Sequence, residues 1–540
     1  MDWAKRWDVS VCTHDMNTER PATMEAQAVE LENPFTSARD AFDELTEELQ
    51  MVEVLELPHG EVEALVERRG LEILRRLLQA HIDVRGLGDV GPRVVGADEV
   101  ERERKRESTR RLASIFGVVL VTRLLYSPRG GGAAALAPMD ASLNLPGESY
   151  SHGVRQRVAR LAGRGAYDFV VEEVGKTTGA RVPKRQAEEL AVQAAADFDD
   201  FYAERTWSEP EDVSGGLVVL TVDGKGIVMR KDALRSQTRK AAEKEAHKLK
   251  RRLTRGEKRN RKRMATVASV YTIEPNIRTP EMILGGLQGA DKAPKRPKPV
   301  KKRVWASISK TPQAVINEAF AEGLRRDPEH KKRWVAVVDG NKTQLTLLRK
   351  LATRYGVELT IVLDVIHVTE YLWKAARVFH AEADPKGEAW VDERLMRILE
   401  GKSSRVAGGI RRSATNRKLD AATRQAADKA ANYLLKYRDY LHYDEYLAAG
   451  LPIASGVIEG ACRHLVKDRM DVTGARWSLK GAEAVLQLRA LQASGDFDDY
   501  WRFHLDREKA SNHEIHYAED TPPPIPRPGA CPPVLRLVKS

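Results

Sequence analysis

Residues 217–230 read Leu-Val-Val-Leu-Thr-Val-Asp-Gly-Lys-Gly-Ile-Val-Met-Arg, an aliphatic, β-branched run interrupted at Asp223-Gly224-Lys225-Gly226 and resumed at once. The pattern predicts a buried strand, a tight turn and a second strand. Residues 333–338 form another such run, ending in Asp339-Gly340, and 357–363 form a third, ending in Asp364. A helical segment running to Tyr355 separates these two, and strand, helix, strand with short connections implies a mixed or parallel sheet covered by helices. Asp223, Asp339 and Asp364 then each fall at the C-terminal end of a strand, the edge where open α/β sheets build their sites. Two readings of Asp223 stand at this stage. Asp-Gly is the commonest hairpin signal, and taken alone the stretch favours a turn; a carboxylate held rigidly at a strand end also suits a metal ligand or an acid/base residue.

At 540 residues the chain is too long for one core and is expected to form about three domains. No apolar run approaches the roughly 18 residues of a membrane span, and Met1-Asp2-Trp3-Ala4-Lys5 lacks a signal-peptide core. Cys12, Cys462 and Cys531 are far apart, which excludes a disulfide framework and a CxxC zinc site and fits a reducing cytoplasm. The net charge of +11 is concentrated. The first hundred residues are acidic, whereas 229–263 and 292–303 are dense in Lys and Arg, as for a polyanionic partner.

Along the chain, 1–33 reads as a flexible lead, and 34–54 and 60–83 as helices that form either a dimerisation surface or a pair packed on the rest. Residues 115–126 read as a strand or hairpin. Three helices follow at 150–164, 166–177 and 183–205, the last opening with Pro183 at its first position and then Lys184, Arg185 and Gln186. These suit a helix-turn-helix presenting side chains to base edges, and equally three short helices that bind no DNA. The stretch 235–264 is predicted helical and carries Arg251, Arg252, Arg259, Arg261, Lys262 and Arg263, too many cations for its own acids to pair, so phosphate contact is favoured over a solvated face. Strands are expected at 265–273 and 304–308, a Pro/Lys linker at 291–303 and a helix at 311–325. Residues 369–447 read as an all-helical insertion, and 521–533 as an extended Pro-rich segment.

After the insertion a helix carries Glu459, with Arg463 and Lys467 four and eight residues later on one helical face. That spacing serves an i,i+4 ion pair, or a metal ligand flanked by phosphate-gripping cations. Lys225 and Lys342, close in sequence to Asp223 and Asp339, are further candidates for phosphate contact. Trp373 and Trp477 are either core residues or platforms for an unpaired or flipped base. Phosphodiester cleavage needs an activated nucleophile and a stabilised leaving oxygen, which two divalent cations supply together. Mg²⁺ prefers oxygen ligands and retains water, so the three acids Asp223, Asp339 and Glu459 suffice.

The blocks TVDGKGIVMR, RRLTRGEKRNRKRMATVASVYTIEP, WVAVVDGNK, IVLDVIHVTEYLWKAA and GLPIASGVIEGACRHLVKDRMDVTGARW together resemble the DDE transposases of bacterial insertion sequences, in the Kra-four type family related to the Mutator-like group. The resemblance covers roughly residues 110–508. It implies an RNase H-like α/β core, a mixed sheet flanked by helices, with two Mg²⁺ ions (Mn²⁺ substituting) and a helical insertion before the last acid. By motif, Asp223, Asp339 and Glu459 match the first, second and third acids, and Asp364 and His367 match the Cys/Asp-x-x-His signature; Asp364 is also a rival for the second catalytic acid, ranked below Asp339 because the family pattern assigns it to the later motif. His367 is then expected to ligate a metal, to orient phosphate or accept a proton, or to be a satisfied histidine beside a helix cap, with the orienting role favoured.

The corresponding division is 1–100, a helical module; 101–210, a helical DNA-binding region; 211–368, the first part of the core with a basic insertion at 235–264; 369–450, the helical insertion; 451–508, the rest of the core; and 509–540, a Pro-rich tail. The implied activity is binding of terminal inverted repeats, hydrolysis at the element's ends and joining of the 3′-OH to target DNA, by a homo-oligomer in the bacterial cytoplasm, without membrane contact. The alternatives are an RNase H-like nuclease acting on branched DNA and a catalytically silent, transposon-derived DNA-binding protein.

Overall fold

The structure is a computed structural model and describes residues 33–205, 214–244, 249, 254, 261–287, 297–472 and 474–526. Nine strands occur among them: β1 (Val94–Val95), β2 (Glu101–Arg102), β3 (Arg104–Ser114), β4 (Gly117–Ser127), β5 (Leu217–Val228), β6 (Lys262–Ile273), β7 (Val300–Ser307), β8 (Arg333–Val338) and β9 (Leu359–Leu363). The last five form one mixed sheet in the order β7-β6-β5-β8-β9, in which β5, β6 and β7 are antiparallel and β8 and β9 run parallel to β5. The architecture is α/β. The first six residues of β5 and the last five of β8 are buried, which is why these segments are unbroken apolar runs rather than alternating ones.

The stretch 217–230 does not turn. β5 runs straight through Asp223-Gly224-Lys225-Gly226, paired with β6 from Leu217 opposite Ile273 to Val228 opposite Lys262. Neither Gly224 nor Gly226 adopts a positive φ. What Gly226 provides is room, since a Cβ there would lie 3.0 Å from Lys262 Cδ. The hairpin lies earlier, where β3 and β4 are joined through Ile115-Phe116 and Gly117 takes φ +132°.

Three helical expectations are revised. The segment 183–205 is two helices, Lys184–Gln193 and Phe198–Glu204, and Pro183 is the residue before the first, not its opening turn. Of 235–264, Ser236–Lys244 is helical, whereas Lys262, Arg263 and Met264 already belong to β6, because they pair with the far end of β5. Arg251, Arg252 and Arg259 lie outside the described residues, as do most of the 1–33 lead and the end of the 521–533 segment. β7 begins within the expected linker.

Helix Pro312–Arg326 covers β5 and β6, and helix Leu479–Ser494 packs on β7. One contiguous core runs from Val154 on helix His152–Ala162 to Trp501 on helix Phe497–Asn512. Between β9 and Glu459 the chain is helical apart from its connections, with Val365–Phe379, Pro385–Leu399, Ser403–Asn416 and Ala421–Lys436 as the long helices. Among the described residues no helix is long and apolar enough to cross a membrane.

Candidate active site

Register brings the acids together. Along the parallel pairing of β5 and β8 the last partners are Thr221 and Val337, and one pleat further along each chain stand Asp223 and Asp339. Along β8 and β9 the last partners are Val338 and Leu363, and the next residues are Asp339 and Asp364. Three acids distant in sequence therefore stand side by side on three adjacent strands. Asp339 and Asp364 follow their strands, whereas Asp223 lies within β5, opposite Val267 of β6. The expectation that all three terminate strands is thus corrected, because β6 extends β5 past the end of β8.

Each carboxylate has its own surroundings. Asp223 Oδ1 accepts from the Gly224 N–H at 2.6 Å, and Oδ2 accepts from Cys462 Sγ at 3.1 Å. Asp339 Oδ1 accepts from the Asn341 N–H at 2.9 Å. Its loop is pinned from the helical insertion, where Tyr433 donates to the Asp339 carbonyl at 3.1 Å and Tyr437 to that of Gly340 at 2.6 Å. A third hydroxyl, from Tyr443, donates to the carbonyl of Leu363 at 2.7 Å. Asp364 is fully buried and caps helix Val365–Phe379 by accepting from the Ile366 N–H at 2.8 Å. Its Oδ2 accepts from Ser455 Oγ and lies 3.4 Å from His367 Nδ1.

Glu459 arrives on the short helix Gly456–Ala461, which continues as a π-helix over Cys462–Lys467. Glu459, Arg463 and Lys467 are all exposed, while Cys462, Leu465 and Val466 are buried, so the three residues stay on one exposed side across the π-helical turn. No ion pair joins Glu459 to either cation among the described residues.

The electrostatics are those of an under-compensated acid cluster. Burial raises the Asp339 pKa, and the charge of Asp223 adds to it. Burial likewise raises that of Glu459, followed by the charge of Asp364, with Glu370 and Asp223 contributing. The nearby imidazole of His367 responds in the opposite sense: its hydrogen bond to Asp364 leads, burial opposes it, and the net result is a pKa of about 9. Burial pushes the Cys462 thiol far up, and Asp223 adds to this, so the sulfur keeps its proton as a donor.

Asp364, His367 and Glu459 each offer a ligand atom within 4.8 Å of the others. The oxygens of Asp364 are already engaged by a backbone N–H, a hydroxyl and the imidazole, so its role falls on His367. Asp223, Asp339 and Glu459 take part in no ion pair with Lys or Arg among the described residues, but their carboxylate oxygens do not all lie within 4.8 Å of one another as the ligand atoms of Asp364, His367 and Glu459 do.

The proposed DNA contacts divide. Lys225 follows Asp223 by one pleat, half-buried, and Lys342 is exposed at the start of helix Lys342–Tyr355. Lys184 pairs with Asp168 at 2.8 Å, and Arg185 and Gln186 both engage Glu189. Arg263 is spent internally on the carbonyls of Ile308 and Ala233, which removes it from the phosphate-contact set; Lys262 lies 3.4 Å from Asp471, and Arg261 is half-buried just before β6. Trp373 is 38% exposed, whereas Trp477 is buried, with its Nε1 donating to the Met470 carbonyl, so its ring is not a free platform. Reasoning from the sequence missed Cys462, Ser455 and the three tyrosines.

No protein-family model matches the chain, and no curated protein matches it. Among solved structures the chain is similar to the Drosophila P element transposase strand transfer complex, at 10% identity over 71% of this chain and 83% of that chain, with a TM-score of 0.20, a likeness too slight to bear on the site.

Proposed function

We propose that the protein is a DNA transposase of the DDE type, which hydrolyses phosphodiester bonds at the ends of its element and joins the freed 3′-OH to target DNA. What supports this reading is that the charge of Asp223 reaches both Asp339 and Glu459, although the elements that carry these acids are separated by a long helical insertion. The mixed sheet flanked by helices agrees with the RNase H-like core that the sequence resemblance implies.

Asp223, Asp339 and Glu459 would hold two divalent cations, Mg²⁺ or Mn²⁺, which when bound activate the attacking oxygen and stabilise the leaving one. The chain's own groups do the rest. Asp364 orients His367 and holds a proton on its ring, so the imidazolium offers a charge-assisted N–H to a phosphate oxygen. Lys225 and Lys342 neutralise further phosphate charge. Cys462 fixes one oxygen of Asp223, and Tyr433 and Tyr437 hold the loop of Asp339.

The test is strand joining with Mg²⁺ on duplexes carrying the element's own ends. Asp223→Ala, Asp339→Ala and Glu459→Ala should each abolish joining while end binding persists. Normal joining by any one of them removes that residue from the site, and cleavage of branched DNA without joining overturns the transposase reading in favour of a junction nuclease.

A further inference from the structure

A second feature lies away from the acids. A cavity of about 670 Å³ opens between helix Lys184–Gln193, the start of helix Tyr167–Thr177 and the segment 475–481. Arg469 lines it and is 3% exposed. Its Nε donates to the Ala162 carbonyl, but its Nη2, also buried, has no partner. Leaving such a donor unsatisfied destabilises the fold, unless a ligand supplies the acceptor. The guanidinium carbon lies 5.5 Å from the ring centre of Tyr167 and 4.8 Å from that of Trp477, so a cation and two aromatic rings meet at the wall.

The rim is basic. Lys184 and Arg185 are neutralised by Asp168 and Glu189, but Arg230, Arg476 and Lys480 are exposed and carry no ion pair among the described residues. Glu188 is the one lining acid outside those pairs. The cavity is also joined to the acid cluster, because the chain bearing Asp223 runs on past the end of β5 at Val228 to Arg230, whose N–H donates to the Trp477 carbonyl at 2.9 Å. At about 3.3 Å per residue this path is roughly 23 Å long.

We propose that this cavity takes one unpaired nucleotide of a DNA strand, its base against the half-buried ring of Tyr167 and its phosphate toward Arg230, Arg476 and Lys480. The assignment rests on the DNA-processing reading above and adds to it a place for single-stranded DNA beside the expected helix-turn-helix. The Tyr167 ring accepts any base by stacking, and three uncompensated cations suit the backbone. The unpaired Nη2 gains an acceptor from the base edge or the sugar-phosphate.

The experiment uses the full chain and fluorescence anisotropy, comparing a blunt duplex with duplexes that carry an unpaired 3′ tail of increasing length. A sufficient tail should tighten binding about tenfold, the effect of one stacked base, and an abasic nucleotide at the critical position should abolish the gain. The double variant Arg476→Ala/Lys480→Ala, at two exposed positions, should bring the tailed-to-blunt ratio close to one. A wild-type ratio near one with the blunt duplex bound overturns this proposal alone, as does a gain that survives the double variant. Binding of deoxyadenosine monophosphate that the double variant loses, without any tail effect, overturns it in favour of a free-nucleotide site. Failure to bind any DNA overturns the DNA-processing reading and this site with it.

Discussion

Cys462 Sγ donates a hydrogen bond to Asp223 Oδ2 at 3.1 Å, joining the π-helical turn after Glu459 to the middle of β5. The thiol stays protonated because burial, and then the charge of Asp223, disfavour the thiolate. Cys462 is therefore a positioning residue for the first acid. Cys462→Ala should weaken Mg²⁺ binding by roughly ten- to a hundredfold, the usual effect of losing a group that orients a metal ligand. Cys462→Ser, which keeps a donor, should recover most of it. Calorimetric titration of the metal into each variant is the measurement, and equal affinity in the Ala variant and the wild type would falsify the role.

Under the proposed function, acids of raised pKa would favour a metal at the expense of the metal-free fold. The raised pKa values of Asp339 and Glu459 mean that ionising them costs stability, a cost present when pH exceeds the folded values and relieved as pH falls below them. Asp339→Asn and Glu459→Gln should therefore raise the metal-free melting temperature at neutral pH by roughly 1 °C for each 1 kcal/mol of relief in a chain of this length. Added Mg²⁺ should stabilise the wild type but not the variants. A lower melting temperature in both variants would show that the acids are not mutually repelling.

His367 titrates in the opposite sense. Its pKa is lifted from 6.5 to about 9, first by the hydrogen bond to Asp364, so its contribution is complete below 6.5 and lost as pH rises through about 9. The ring is half-exposed, which keeps the effect modest. Metal-free wild type should lose stability across that interval and His367→Gln should not show this step. Parallel melting curves for the two proteins would contradict the assignment.

Glu322, buried on helix Pro312–Arg326, pairs with Arg303 on β7 and with Arg325 and Arg326 on its own helix. Burial pushes its carboxyl up, but the three guanidinium groups outweigh this and hold the pKa at about 2. The stabilisation is present above its ordinary value of 4.5 and is lost as pH falls toward 2. Glu322→Gln leaves buried arginines uncompensated and should cost about 3–5 kcal/mol. Urea unfolding near neutral pH measures this, and an unchanged midpoint would rule the network out as a structural requirement.

The apolar runs that became β5, β8 and β9, and the helices between and after them, were legible because burial on both faces demands unbroken aliphatic sequence and helical packing demands its own period. The acids were legible as well, since polar residues following such runs stand out. Local pattern misled at Asp223-Gly224-Lys225-Gly226, where a strong turn signal lies inside a strand. Pairing with β6 over its whole length, a contact with residues distant in sequence, overrides the local preference for a turn.

By itself the sequence determined which segments must be buried and which carboxylates stand at their ends, since both follow from the order of apolar and charged residues. Only the tertiary structure decided that Asp223 and Asp339 share a register, that Asp364 serves His367, that Cys462 reaches Asp223 and that Arg469 faces a cavity. Each of these depends on contacts between residues far apart in the chain, for which neither periodicity nor spacing leaves a trace.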